Sequence, residues 1–126
     1  MKLKKKTYII AEVGANHNGS YKLAKKYVDV ISKLDVNAVK FQLADSSQVF
    51  SKEAFLADYH KKSKGYKANQ NLILEDKNRQ LSRKEHLRIS KYCKKKKIDY
   101  LCSPFDLGSL KFLINEIKIK KIKIPS

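Results

Sequence analysis

The sequence predicts an α/β fold of parallel strands joined by crossover helices, and three observations carry that prediction. Short β-branched apolar runs alternate with amphipathic helical runs along the 126 residues. The first helical run keeps a clear 3.6-residue period, and polar residues gather where the strand-like runs end. Such alternation means parallel strands with right-handed crossovers.

Thr7 to Val13 is β-branched and apolar on both faces, which suits a strand buried from both sides. The small, amide-rich turn Asn16 to Ser20 follows. From Ser20 onward Leu23, Ala24, Tyr27, Val28, Ile31 and Leu34 recur at helical spacing, with Lys22, Lys25, Lys26 and Lys33 on the other face. Asp35 to Asn37 turns the chain into a second strand, Ala38 to Leu43, completing one βαβ unit. Ala44 to Gln80 is polar and lysine-rich, with Phe50, Phe55, Leu56, Tyr59, Leu72, Ile73 and Leu74 as apolar anchors. A connection of that length is commonly functional or disordered. Ser82-Arg83-Lys84-Glu85 has the form of a capping box and should open a helix that turns Ile89, Tyr92 and Cys93 inward. Ile98 to Ser103 reads as a third strand ended by Pro104, and Leu110, Leu113, Ile114 and Ile117 mark a further helix. Ile119 to Ile124 reads as a fourth strand. A flavodoxin-like sheet and a (β/α)8 barrel both begin this way, and periodicity does not choose between them.

With 42% hydrophobic residues the chain supports one core and is too short for two ordinary domains. Its formal charge of +17 comes from 29 basic against 12 acidic residues, and only Arg79, Arg83 and Arg88 are arginines. Nucleic-acid readers favour arginine and stacking aromatics, whereas these lysines are spread over the whole length. A solvated lysine-rich surface is the preferred reading, and a basic nucleic-acid-binding module is the alternative. Cys93 and Cys102 lack metal-ligand spacing and read as reduced core residues. The basic start is not followed by a full apolar signal core, and no run reaches membrane-spanning length, so the expected location is cytoplasmic.

Ligand sites of parallel α/β folds lie at the carboxyl ends of the strands. The first strand offers Glu12, then Asn16 and His17; the second offers Lys40 and Gln42; the third offers Ser103; the fourth offers Lys123 and Ser126. Lys40 and Gln42, two apart, share the face opposite Val39 and Phe41. Two ammonium groups, hydroxyls and an amide suit an anionic ligand beside a hydroxylated one. Each residue also has a structural reading: Glu12 as the ion-pair partner of Lys40 or Lys123, His17 and Asn16 as turn residues, Ser103 as a strand end.

Four segments carry a family resemblance: Ala11-Glu-Val-Gly-Ala-Asn-His-Asn-Gly-Ser20, Val39-Lys-Phe-Gln42, Cys102-Ser-Pro-Phe105 and Lys123-Ile-Pro-Ser126. In order and spacing they resemble the amino-terminal half of the sialic acid synthases, a family that includes N-acetylneuraminate, legionaminate and pseudaminate synthases. The resemblance runs from about Tyr8 to Ser126. It implies a partial (β/α)8 TIM barrel, with the first four parallel strands and their crossover helices in residues 1–126. It further implies condensation of phosphoenolpyruvate with an N-acetylated hexosamine such as N-acetylmannosamine. By the same resemblance Lys40, Ser103, Lys123 and Ser126 hold phosphoenolpyruvate, Gln42 contacts the sugar, Glu12 is catalytic, and Asn16 and His17 shape the site.

Three departures qualify the expectation. The family's divalent metal, manganese or magnesium, is held by histidines later in the barrel, and nothing here matches them; His60 and His86 do not sit at strand ends. Four strands and a small antifreeze-like domain of the family lie beyond these residues, since a barrel takes about 250 residues. The chain is therefore expected to be inactive alone, as an enzyme fragment, as half of a barrel completed by a second chain or a homo-oligomer, or as a non-catalytic partner of an intact synthase. Finally, Lys121 would face the barrel interior where the family usually has an apolar residue, which points to relaxed constraint.

Overall fold

The computed structural model of the protein describes residues 7–49 and 77–125. Phe50, Phe55, Leu56, Tyr59, His60, Leu72, Ile73 and Leu74 of the long connection lie outside them, as does Ser126. Strands β1 (Ile10–Gly14), β2 (Ala38–Leu43) and β3 (Asp99–Pro104) pair in parallel in that order. Helix α1 (Tyr21–Ile31) joins β1 to β2, while α2 (Ser46–Val49) and α3 (Arg83–Lys95) lie between β2 and β3. After β3, α4 (Leu107–Phe112) runs into a π-helical turn, Leu113–Ile117. The result is an open arc of parallel strands rather than a closed barrel.

Local chemistry sets the helix starts. The Ser20 hydroxyl accepts from the Leu23 amide at 3.2 Å. At Ser82 the expected capping box forms in both directions: Ser82 Oγ accepts from the Glu85 amide, and Glu85 Oε2 accepts from the Ser82 amide at 2.9 Å. Asp106 caps α4 by accepting from the Ser109 amide at 2.7 Å and its hydroxyl at 2.6 Å. It also accepts from the Asp45 amide at 2.8 Å, tying the end of β2 to the start of α4. Burial pushes the Asp106 carboxyl up, but these donors outweigh it and hold the group below its usual range.

The core lies on one face of the sheet. Val13, Val39, Phe41, Leu43 and Cys102 meet Ala24 and Val28 of α1, Ile89 and Cys93 of α3, and Phe112 and Leu113. Full burial of each valine, leucine, isoleucine or phenylalanine among them contributes about 1.5–3 kcal/mol. Both cysteines are free and buried, and burial pushes each thiol up to about 12, as expected of inert core residues. Helices α1 and α3 are also joined at their surface, where Tyr92 Oη donates to Asp29 at 2.6 Å and Lys96 pairs with the same carboxylate at 2.7 Å.

Behind β2, four rings pack together. Phe41 stacks on Tyr100 at 5.7 Å, meets His86 edge-on at 6.4 Å and touches His17 at 6.1 Å. His86 Nδ1 shares a 2.7 Å hydrogen bond with Tyr100 Oη. Burial, and then the neighbouring His17, push His86 down to about 4, while Glu85 opposes them. His17 is lowered as well, chiefly by burial. Both imidazoles are therefore neutral in the folded protein near pH 7.

Four sequence expectations are corrected. The fourth strand, Ile119 to Ile124, does not pair as a ladder; it reaches β3 through one backbone hydrogen bond, Lys123 N–H to Cys102 C=O at 3.3 Å. Ile122 and Ile124 are exposed, and a parallel strand without cover on its faces lacks the burial that stabilises it. Strand β1 begins at Ile10 rather than Thr7, and Tyr8, Ile9 and Ile10 are exposed because β1 has one neighbour among the described strands. In the last helix Ser109, Phe112 and Leu113 face the core at i, i+3, i+4 spacing and Ile114 points out, because the small Ser109 takes the core-facing position next to Leu110. Leu34, beyond the end of α1, is exposed.

Two predictions follow from this packing. The unfolded chain protonates its histidines near 6.5 and folded His86 near 4, so the unfolded state binds more protons between those values. Stability is then fully present above pH 6.5 and is lost as pH falls to 4, by about 3 kcal/mol for His86. Urea midpoints across that range should slope accordingly, and His86→Phe should flatten the slope. Ser82→Ala, which removes the cap of α3, should lower stability by about 1 kcal/mol in the same urea measurement.

Candidate functional site

Register decides what faces the concave side of the arc. Glu12 lies beside Lys40, and Lys40 beside Leu101; Gln42 lies beside Ser103. Because neighbours in a ladder share a face and the side-chain period is two, Glu12, Lys40, Gln42, Leu101 and Ser103 all stand opposite the core residues Val39, Phe41 and Cys102. Near the end of β1 an irregularity between Glu12 and Gly14 sets Gly14 against Phe41. The extra residue bends the strand end. Gly14 adopts φ +54°, and a Cβ there would sit 3.2 Å from Glu12 Oε1 and 3.5 Å from Gln42 Nε2. Glycine thus keeps open the space between the carboxylate and the amide.

Within this face Lys40 Nζ pairs with Glu12 Oε2. The lysine side chain is 13% exposed and the glutamate 46%, so the ammonium is the more enclosed partner. Ser103 is buried, and its Oγ has no hydrogen-bond partner among the described residues. A buried hydroxyl without a partner is costly, which makes it a ready donor to an anion or a sugar oxygen. Lys123 is placed beside the end of β3 by the hydrogen bond its backbone N–H donates to the Cys102 carbonyl.

Asn16 and His17 do not line this face. The Asn16 side chain donates to the Val13 carbonyl at 2.9 Å, and His17 Nδ1 accepts from the Gly19 amide at 3.1 Å. They fold the turn after β1, and His17 packs on the opposite side of the sheet against Phe41. Gly19 at φ +73° is equally constrained, since a Cβ would collide with the Asn78 carbonyl oxygen. That close approach docks the turn on residues 78–79, where Arg79 Nη2 donates to Asn18 Oδ1 at 3.4 Å. Of the groups named from sequence, then, Glu12, Lys40, Gln42 and Ser103 converge, Lys123 stands beside them, and Ser126 is outside the described residues. Gly14, which the strand-end pattern does not single out, shapes this face. Its signal in the sequence is a glycine two positions after a strand-end carboxylate.

The arrangement gathers polar side chains at the strand ends of part of a barrel wall, and comparison with known proteins identifies the lineage. The NeuB family signature matches residues 27–126, and the chain belongs to that family. It is 38% identical over 122 residues to the N,N'-diacetyllegionaminic acid synthase of Campylobacter jejuni, covering 97% of this chain and 36% of that protein. It is 32% identical over 128 residues to the N-acetylneuraminate-9-phosphate synthase of Drosophila melanogaster, covering 99% of this chain and 32% of that protein. Among solved structures, the N-acetylneuraminic acid synthetase of Leptospira borgpetersenii superposes with a TM-score of 0.73 at 29% identity, over 95% of this chain and 36% of that one. The chain spans about a third of the length of the relatives it matches.

The ion pair makes an asymmetric prediction. Glu12→Gln leaves the enclosed Lys40 ammonium without its anion and should cost about 1–3 kcal/mol. Lys40→Met leaves a half-exposed carboxylate that water can reach and should cost less. Urea unfolding of the two variants measures the difference.

Proposed function

We propose that this chain carries the phosphoenolpyruvate-facing part of a nonulosonic acid synthase site, for condensation with an N-acetylated hexosamine. The observation that supports it best is the single face on which Glu12, Lys40, Gln42 and Ser103 meet at strand ends. In this reading Lys40 and Lys123 offset the carboxylate and phosphate charges, and the Ser103 hydroxyl donates to one of the same oxygens. Ser126 joins them by family resemblance. Gln42, an amide with both donor and acceptor, meets the sugar hydroxyls.

The chemistry needs charge in two places. The enol carbon of phosphoenolpyruvate attacks the sugar aldehyde, whose oxygen takes a proton, and the adjacent carbon develops oxocarbenium character. Water adds there, and phosphate leaves as its carbon–oxygen bond breaks. Glu12 is the anion that offsets the developing cation, and lysines on the phosphate offset the leaving group. Displacement of Lys40 from Glu12 by the incoming anion frees the carboxylate for that role.

The family resemblance also implies a divalent manganese or magnesium ion. The described residues do not fit it: no three His, Cys, Asp or Glu side chains converge among them. His17 and His86 are buried with Phe41 on the core side. In this reading the metal's ligands and the facing wall of the site come from outside the described residues. No helix among the described residues is long and apolar enough to cross a membrane. The reading places the activity in the cytoplasm.

Grafting tests this. A chimera in which residues 1–126 replace the matching third of the Campylobacter jejuni protein should release phosphate from phosphoenolpyruvate plus an N-acetylated amino sugar, whereas residues 1–126 alone should not. Glu12→Gln and Lys40→Met should each lower turnover of the chimera at least about 100-fold. A folded chimera with no turnover, or one indifferent to both changes, would sink the assignment.

A further inference from the structure

We infer that Tyr8, Asp99 and Lys121 form a clamp that positions Lys123, so that Lys121 is a matched residue rather than a sign of decay. The three come from distant stretches and meet at the amino-terminal edge of the concave face. Tyr8 Oη donates to Asp99 Oδ2, Lys121 Nζ reaches the same oxygen at 3.4 Å, and the ammonium lies 4.4 Å from the centre of the Tyr8 ring. One carboxylate thus serves a phenol and an ammonium, and the ammonium is shared with an aromatic face.

The backbone beneath is built to hold them. Ile9 N–H donates to the Asn37 side chain at 2.8 Å, Asn37 N–H returns to the Ile9 carbonyl at 2.9 Å, and Asp99 N–H donates to the Asn37 carbonyl at 3.0 Å. Ala38, beside both Ile10 and Asp99 in the ladders, is small and fully buried. Burial, then Asp99, push the Tyr8 phenol up to about 12, so it remains a donor at neutral pH.

The clamp matters because little else holds the segment that carries Lys123. A groove of about 450 Å³ lies between α3, the start of β3 and residues 116–121, lined by Leu87, Ile98, Leu101, Ile117, Ile119 and Lys121 among others. From Lys120 to Pro125, the polar links to the sheet among the described residues are Lys121 to Asp99 and the Lys123 amide to the Cys102 carbonyl. The first is two residues from the second. Loss of the side-chain link leaves Lys123 on a single backbone bond at the edge of the site. The role given to Lys123 rests on the proposed function; the mechanical coupling does not.

Amide exchange by NMR on the 126-residue chain tests the clamp. In Asp99→Asn and in Lys121→Met, exchange at Lys123 should quicken about two- to five-fold, as expected for an exposed pair. Amides of β2 should not change, and Lys121→Arg should retain wild-type protection. Salt at about 1 M should move the wild type toward the variants. Titration with inorganic phosphate, followed at Ser103 and Lys123, should weaken by a similar factor in the two variants. Unchanged Lys123 exchange in both, with β2 protection intact, overturns the clamp. If either variant loses β2 protection, the charge swap Asp99→Lys with Lys121→Asp decides: restored Lys123 protection supports the clamp and continued fast exchange overturns it. If the wild type binds no phosphate while exchange responds as expected, the clamp stands and the anion-site reading fails.

Discussion

The register of β2 against its two neighbours is the constraint on which the rest depends. Val39, Phe41 and Leu43 are buried on one side, and this obliges Lys40 and Gln42 to stand on the other. A slip of one residue would bury the lysine in the core and expose Phe41, a penalty large enough to exclude it. Through the two ladders the same choice aligns Glu12 with Lys40 and Gln42 with Ser103. The polar face is therefore a by-product of packing the apolar one.

Phe41 is the point where fold and site are coupled. Its ring meets His17 from the turn after β1, His86 from α3 and Tyr100 from β3, while its two sequence neighbours face the concave side. Gly14 and Gly19 complete the connection, one leaving room between Glu12 and Gln42, the other letting the turn sit against Asn78. The conformation of residues 14–20 is thus determined by the core behind the sheet, though its effect is felt in front of it. Neutral, buried imidazoles serve this better than charged ones, because a cation among aromatic rings and thiols would need a partner that the core does not supply.

Electrostatics divide the many lysines into classes. Among the described residues most lysines are solvated and set only the net charge. Lys96 and Lys25 brace the α1–α3 contact around Asp29 and Tyr92. Lys40 is enclosed and paired with a carboxylate in the site, and Lys121 is paired at its lower edge. Sequence position alone does not separate these classes, since an ammonium is defined by the groups its flexible stem can reach.

Much of the fold was legible in the sequence because local rules decided it. The period of α1, the capping box at Ser82 and the extent of β2 are set by residues within a few positions of one another, and each is found where expected. The four motifs likewise identified the family and named Glu12, Lys40, Gln42 and Ser103. What local rules do not set is whether a strand finds cover. Ile119 to Ile124 alternates like a strand, yet it is held at one backbone bond, because pairing needs a neighbour and buried faces that lie far away in the chain. Tertiary structure alone decided that the turn residue His17 packs behind the sheet against Phe41. It alone matched Lys121 to Asp99 and Tyr8, turning an apparent misfit into a satisfied charge. The division has one physical cause: hydrophobic period and capping act over a single turn or strand, whereas burial and charge pairing are settled only when distant segments meet.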